Sequence, residues 1–173
     1  MEVNISDKGR GEWSSESSRL VELALSAFET ALLRLPVSYP TVQQHWFAAV
    51  RFERESDSER LEREICAAFF LRLKGLFEAQ VKRCPGSDTP NWQSAEKLLK
   101  SLRVDQGGLS DEDRVALDKF GALRNCVAHN DGRVDARLYQ KEGSLKIGTD
   151  IWFMRSQLRL WFSLIMRVIK LVR

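Results

Sequence analysis

The segment Arg124-Asn125-Cys126-Val127-Ala128-His129-Asn130-Asp131-Gly132 gathers three side-chain types that can do chemistry together. A guanidinium binds a phosphate through two parallel N–H donors and stabilises negative charge as it builds on a pentacoordinate phosphorus. An imidazole moves protons near neutral pH, and the final turn of a helix, with its exposed carbonyls, favours the protonated ring. An amide one turn earlier can hold either the ring or a substrate. Arg124, Asn125 and His129 therefore suit proton transfer beside a bound phosphate, with no metal and no cofactor required.

Their spacing puts them on one face of a helix. At about 100° per residue, with Arg124 at zero, Ala128 falls at about 40°, Gly121 at about 60°, Asn125 at about 100° and His129 at about 140°. Phe120, Leu123 and Val127 fall on the other side as the core stripe. Only Ala128 and Gly121 lie between the polar groups, so the face forms an open shelf. A helical Gly costs about 1 kcal/mol relative to Ala, so Gly121 is expected where another backbone comes close. Cys126 points away from the shelf and is no candidate nucleophile. The alternative is structural: an Arg and a His near a helix C-terminus also complement its dipole with no chemistry at all.

The elements that must position these residues follow from apolar spacing. A polar, Gly-broken start (Met1 to Trp13) is expected to be flexible and holds no apolar run resembling a secretory signal. Val21, Leu25, Phe28, Leu32 and Leu35 predict a helix over Ser14 to Leu35, closed by a turn at Pro36 and Pro40. Thr41 to Arg54 is predicted as a further helix. Asp57 or Ser58 caps the next, with a stripe of Leu61, Ile65, Phe69, Leu73 and Leu76, ending near Cys84-Pro85-Gly86. A shorter helix runs from about Asn91 to Leu102, before the turn at Gly107-Gly108.

Ser110-Asp111-Glu112-Asp113 starts the motif helix: a Ser cap, an acid three positions on, and negative charge at the positive end of the dipole. Asn130-Asp131-Gly132 stops it. Beyond it, Arg137-Leu-Tyr-Gln and Ser144-Leu-Lys-Ile could pair around Glu142-Gly143 as a short β-hairpin. Thr149 or Asp150 caps a last helix with a stripe of Ile151, Leu158, Phe162, Ile165 and Ile169. The expectation is an all-α chain, a small bundle of five or six helices, forming one domain over residues 14–173.

Arg124-Asn125, three residues, then His129, on an amphipathic helix and followed by Asn130-Asp131-Gly132, resembles the signature of the HEPN superfamily. In that family an Arg and a His separated by four to six residues sit on a helix of a small bundle, and many members are metal-independent endoribonucleases. The resemblance implies two protomers pairing through the motif helices around a composite cleft, with the RNA 2′-hydroxyl as nucleophile and a 2′,3′-cyclic phosphate as product. Arg124 would bind the scissile phosphate, His129 would move the proton, and Asn125 would orient one of them. It also implies an RNA partner, a homodimer, and a toxin or anti-phage effector held by an antitoxin protein; the alternative is a non-catalytic module that binds RNA, a nucleotide or a protein. Asp131 stands where members silenced by nucleotidyl transfer carry a Tyr, two residues after the His. Members often place an acid on an earlier helix near the cleft, for which Glu62 and Glu64 are candidates.

Composition sets the remaining bounds. With 43% hydrophobic and 29% charged residues the chain is globular rather than disordered. Its three cysteines, Cys66, Cys84 and Cys126, are an odd count and too far apart to suggest a disulfide framework or a zinc site, which fits a reducing cytoplasm. Arg159, Arg167 and Lys170 interrupt the most apolar stretch, Leu158 to Val172, so no membrane span is expected. A net charge of +3 permits a polyanionic partner without requiring one. Asn130, Arg133 and Arg155 are candidate substrate contacts, and Arg133, Arg137, Arg155 and Arg159 could extend a basic rim, although solvated helix faces look the same. His45, beside Trp46 and Phe47, reads as packed or superficial, and the five tryptophans read as core or interface residues rather than base-stacking ones.

Overall fold

The computed structural model describes residues 5–32, 42–44, 49–51, 57–87, 94–153 and 155–172. Among them are six α-helices: α1 (Ile5–Leu32), α2 (Asp57–Arg83), α3 (Ala95–Ser101), α4 (Asp111–His129), α5 (Ala136–Lys141) and α6 (Arg155–Lys170). Three strands of two or three residues, β1 (Val42–Gln44), β2 (Ala49–Arg51) and β3 (Ile151–Trp152), make a minor antiparallel sheet in the order β1-β2-β3. The chain is thus a predominantly helical bundle, as its apolar spacing requires. No helix among the described residues is long and apolar enough to cross a membrane.

Aromatic rings weld the helices that matter for the motif. Phe120 of α4 stacks on Trp161 of α6 at 4.6 Å between centroids and meets Phe70 of α2 edge-on at 5.2 Å. Phe70 also stacks on Phe153 at 4.5 Å, and Phe28 of α1 contacts Phe69 and Phe162. These rings sit at the centre of the apolar core, and each such pair adds about 0.5–1.5 kcal/mol beyond its area burial. Trp161 and Trp13 are buried core residues as expected, Trp13 donating its indole N–H to the Gln80 carbonyl at 2.7 Å. Trp46 and Trp92 lie outside the described residues, as does His45.

Several expected elements need correction. α1 begins nine residues before Ser14, because Arg10 and Trp13 are buried: Arg10 donates to the Leu102 carbonyl at 2.8 Å, and these tertiary contacts outweigh the glycines. Residues 42–44 and 49–51 are strands, not helix; Val50 pairs with both Gln43 and Ile151. The buried stripe of α2 is Cys66, Phe70, Leu73, Phe77 and Val81, while Ile65, Phe69 and Leu76 flank it half-buried. The hairpin after the motif helix is absent. Arg137 to Gln140 lie in α5, whose start Asp135 caps by accepting from the Leu138 N–H at 2.7 Å, and residues 143–148 form turns. α6 starts at Arg155, since Ile151 belongs to β3; its expected stripe of Leu158, Phe162, Ile165 and Ile169 is buried.

Ion pairs between helices complete the frame. Arg155 grips Glu62 with two hydrogen bonds, 2.9 and 3.0 Å, locking α6 to α2. Glu62 is only 5% exposed, so removing it leaves an opposing charge half-shielded from water. Glu62→Ala should lower unfolding free energy by on the order of 3 kcal/mol, and the double change Glu62→Met with Arg155→Met should restore most of it. Denaturant titration of the three variants checks this.

Candidate functional site

α4 is a stiff rod fixed at both ends. Its start is capped by Ser110, whose hydroxyl accepts from the Asp113 N–H at 3.1 Å. Buried Asp113 in turn takes a bidentate grip from Arg167 of α6, 3.1 and 2.5 Å. The predicted stop is present: Asn130 caps the helix, and Asp131 and Gly132 adopt left-handed backbone at φ 51° and 71°. Both Asn130 and Gly132 donate their N–H to the Cys126 carbonyl at 3.1 Å. The exit is then tied to the start of β3, where Ile151 donates to the Gly132 carbonyl at 2.7 Å.

On this last turn the three predicted residues meet. Arg124 donates from Nη1 to Asn125 Oδ1 at 3.1 Å, and the same nitrogen lies 2.9 Å from His129 Nε2. A guanidinium has only donors, so in this contact Nε2 must be the acceptor and the imidazole proton resides on Nδ1. His129 and Ala128 are exposed, while Arg124 and Asn125 are half-buried. Gly121 does not meet the expected backbone: a Cβ placed there touches nothing within 4 Å. The shelf is open at its end, where Ala128 and His129 are exposed, while Leu117 and Ala122, nearer the helix start, are buried with the Phe120, Leu123 and Cys126 side.

The surrounding candidates divide. Asn130 spends its side-chain N–H on the Arg133 carbonyl at 2.8 Å, which shapes the turn after His129. Arg133 stays exposed and approaches Asp150 at 3.5 Å, an acid that Arg63 also approaches at 3.8 Å. Arg155 is engaged elsewhere, its fork filled by Glu62, whose hydrogen bonds hold the guanidinium above its ordinary pKa. Arg159 is likewise held by Glu29 through two bonds of 2.6 Å. The expected basic rim on α6 is therefore paired with acids of α1 and α2. Of the two candidate acids on α2, Glu62 is committed to Arg155. Glu64 instead lines a pocket of about 60 Å³ with Arg63, Val127, Asp131, Gly132 and Phe153. That volume holds a water or two, not a nucleobase.

One charged residue beside the motif escaped the sequence. Lys74 of α2 is buried, bonds to Glu78 one turn on, and lies 5.6 Å from the centroid of the Phe120 ring. Burial pushes its ammonium below the usual lysine range; hydrogen bonding to Glu78 opposes this, and the Arg124 charge adds to the lowering. Its spacing carried a signal: Lys74 stands four residues after Phe70 and three before Phe77, on the buried face of α2, whereas Arg72, Lys82 and Arg83 are exposed.

Neither a protein-family model, a curated protein nor a solved structure matches the chain. Among the described residues no cluster of His, Cys, Asp and Glu could hold a metal ion.

Cys126, inside the motif, is buried, and burial pushes its thiol up to about 11; burial likewise pushes Cys66 up to about 12. Below pH 9 both thiols are protonated whether the chain is folded or not, so they add no pH dependence there. Between pH 9 and about 11–12 the unfolded chain loses these protons first, and stability falls as pH rises. Ellman's reagent at pH 8 should therefore find all three cysteines, each buried, slow to react in the folded protein and fast in guanidinium.

Proposed function

We propose that this chain is a metal-independent endoribonuclease whose reacting groups are Arg124 and His129, with Asn125 as the orienting amide. The observation that supports this most is the shared nitrogen: Arg124 Nη1 bridges Asn125 Oδ1 at 3.1 Å and His129 Nε2 at 2.9 Å on an exposed helix face. The resemblance to HEPN nucleases points the same way.

The contact suggests an order of events. A scissile phosphate competes for the Arg124 guanidinium, because a charged acceptor binds it more strongly than a neutral ring nitrogen does. Drawn to the phosphate, Arg124 releases Nε2, whose lone pair is then free to take the proton of the ribose 2′-hydroxyl. The 2′-oxygen attacks phosphorus, the bond to the 5′-oxygen breaks, and that oxygen leaves with a proton returned by the imidazolium or by water. The products are a 2′,3′-cyclic phosphate and a 5′-hydroxyl. Arg124 stabilises the charge on the pentacoordinate phosphorus throughout, and exposed Arg133, in the turn after His129, adds positive charge along the RNA.

In the same proposal the protein works in the cytoplasm as a homodimer, the second copy seated over the open face at Gly121 and Ala128. It acts as a toxin or anti-phage effector restrained by an antitoxin protein. A binding module is the second reading, and one observation favours it: Nε2 is occupied by Arg124 at 2.9 Å, as it would be in a static clip.

Pure protein incubated with total RNA in EDTA separates the two. The nuclease proposal expects fragmentation that His129→Ala lowers by a factor of about a hundred or more, with helicity and oligomeric state unchanged. Intact RNA with wild type, or equal cutting by the variant, would overturn it.

A further inference from the structure

Arg124 is long, flexible and half-buried, and Phe120 stands one turn earlier on α4, within reach of its side chain. Aromatic faces attract guanidinium groups, so an unconstrained Arg124 has two resting places: back over Phe120, or forward onto Asn125 and His129. It takes the second.

The position over the ring is already filled. Lys74 reaches across from α2, its Nζ 5.6 Å from the Phe120 centroid, and it is only 3% exposed. Glu78, the next turn of α2, bonds to it and opposes the lowering of its pKa by burial. Arg124 is close enough for the two positive charges to repel; that repulsion, with a contribution from Lys82, works against the Lys74 ammonium after burial has done most of the lowering.

We propose that Lys74 is a positioning residue for Arg124: anchored by Glu78 and the Phe120 ring, its charge denies the guanidinium the inner site and drives it outward onto Asn125 and His129. Lys74 does not touch substrate. It sets the resting place of the group that does, and so sets which tautomer of His129 waits for the 2′-hydroxyl. The inference rests on Arg124 and His129 being the reacting pair, but its test does not need turnover.

The readout is the tautomer of the His129 ring, followed by nitrogen-15 NMR of the full-length protein at a pH where the imidazole is neutral. His129→Ala assigns the signal against the chain's other histidine, His45. Wild type should show the proton on Nδ1, held there by donation from Arg124 to Nε2. Lys74→Met, which keeps the stem and removes the charge, should let Arg124 fold back and bring up the Nε2–H form; Lys74→Arg should restore the wild-type signal. Because burial works against the Lys74 charge, Lys74→Met should fold. If it does not, Glu78→Gln decides: it removes the carboxylate that supports the buried ammonium, so the Lys74 charge weakens and the Nε2–H form should come up. A wild-type signal in folded Lys74→Met, or an unchanged wild-type signal in Glu78→Gln, overturns the proposal. Should wild type fail to cut RNA in EDTA, the nuclease proposal falls while this experiment still gives its answer.

Discussion

A donor-only guanidinium and the lone pair of an imidazole, 2.9 Å apart on the last turn of α4, set the terms for this protein. Such a contact holds only if the helix that carries both residues cannot twist or fray. α4 meets that demand with a capped and ion-paired first turn, a stacked aromatic in the middle and a left-handed exit tied to β3. The strain of a non-glycine residue at positive φ is borne by Asp131, a residue type that tolerates that conformation. The polar face then stays open because its intervening side chains are Gly121 and Ala128.

Charge in the rest of the bundle is spent on holding helices together. Arg155, Arg159 and Arg167 of α6 each end in a bidentate grip on an acid of another helix, so a sequence rich in arginine does not present a continuous basic face. Near the motif stand Arg124, buried Lys74, bonded to Glu78, and exposed Arg133, which faces Asp150 at 3.5 Å. Under the nuclease proposal, such a site would distinguish a phosphate by geometry at Arg124 more than by long-range attraction, in keeping with the net charge of only +3.

The sequence is most informative where local rules and tertiary packing agree. Ser110, the acidic first turn and Asn130-Asp131-Gly132 mark α4 within a residue of its observed ends, and a fixed angle per residue brings Arg124, Asn125 and His129 onto one face. It is least informative where a long-range contact decides. Glycines at the N-terminus hide a helix held by buried Arg10 and Trp13. The apolar residues over 41–54 give no warning of strands that pair with Ile151, a hundred residues away. Asp135 as a helix cap, and with it α5, is masked by the strand-like run that follows. Arg155 cannot be ranked among the charged residues, since what separates a solvated cation from a paired one is the partner on another helix.

The end groups of the RNA fragments test the central claim most directly. Fragments made by the wild-type protein in EDTA should carry 2′,3′-cyclic phosphates at one end and 5′-hydroxyls at the other, as mass spectrometry resolves. Fragments ending in 5′-phosphate and 3′-hydroxyl would mean that water, not the ribose, attacks phosphorus, and would contradict proton transfer from the 2′-hydroxyl to His129 beside Arg124.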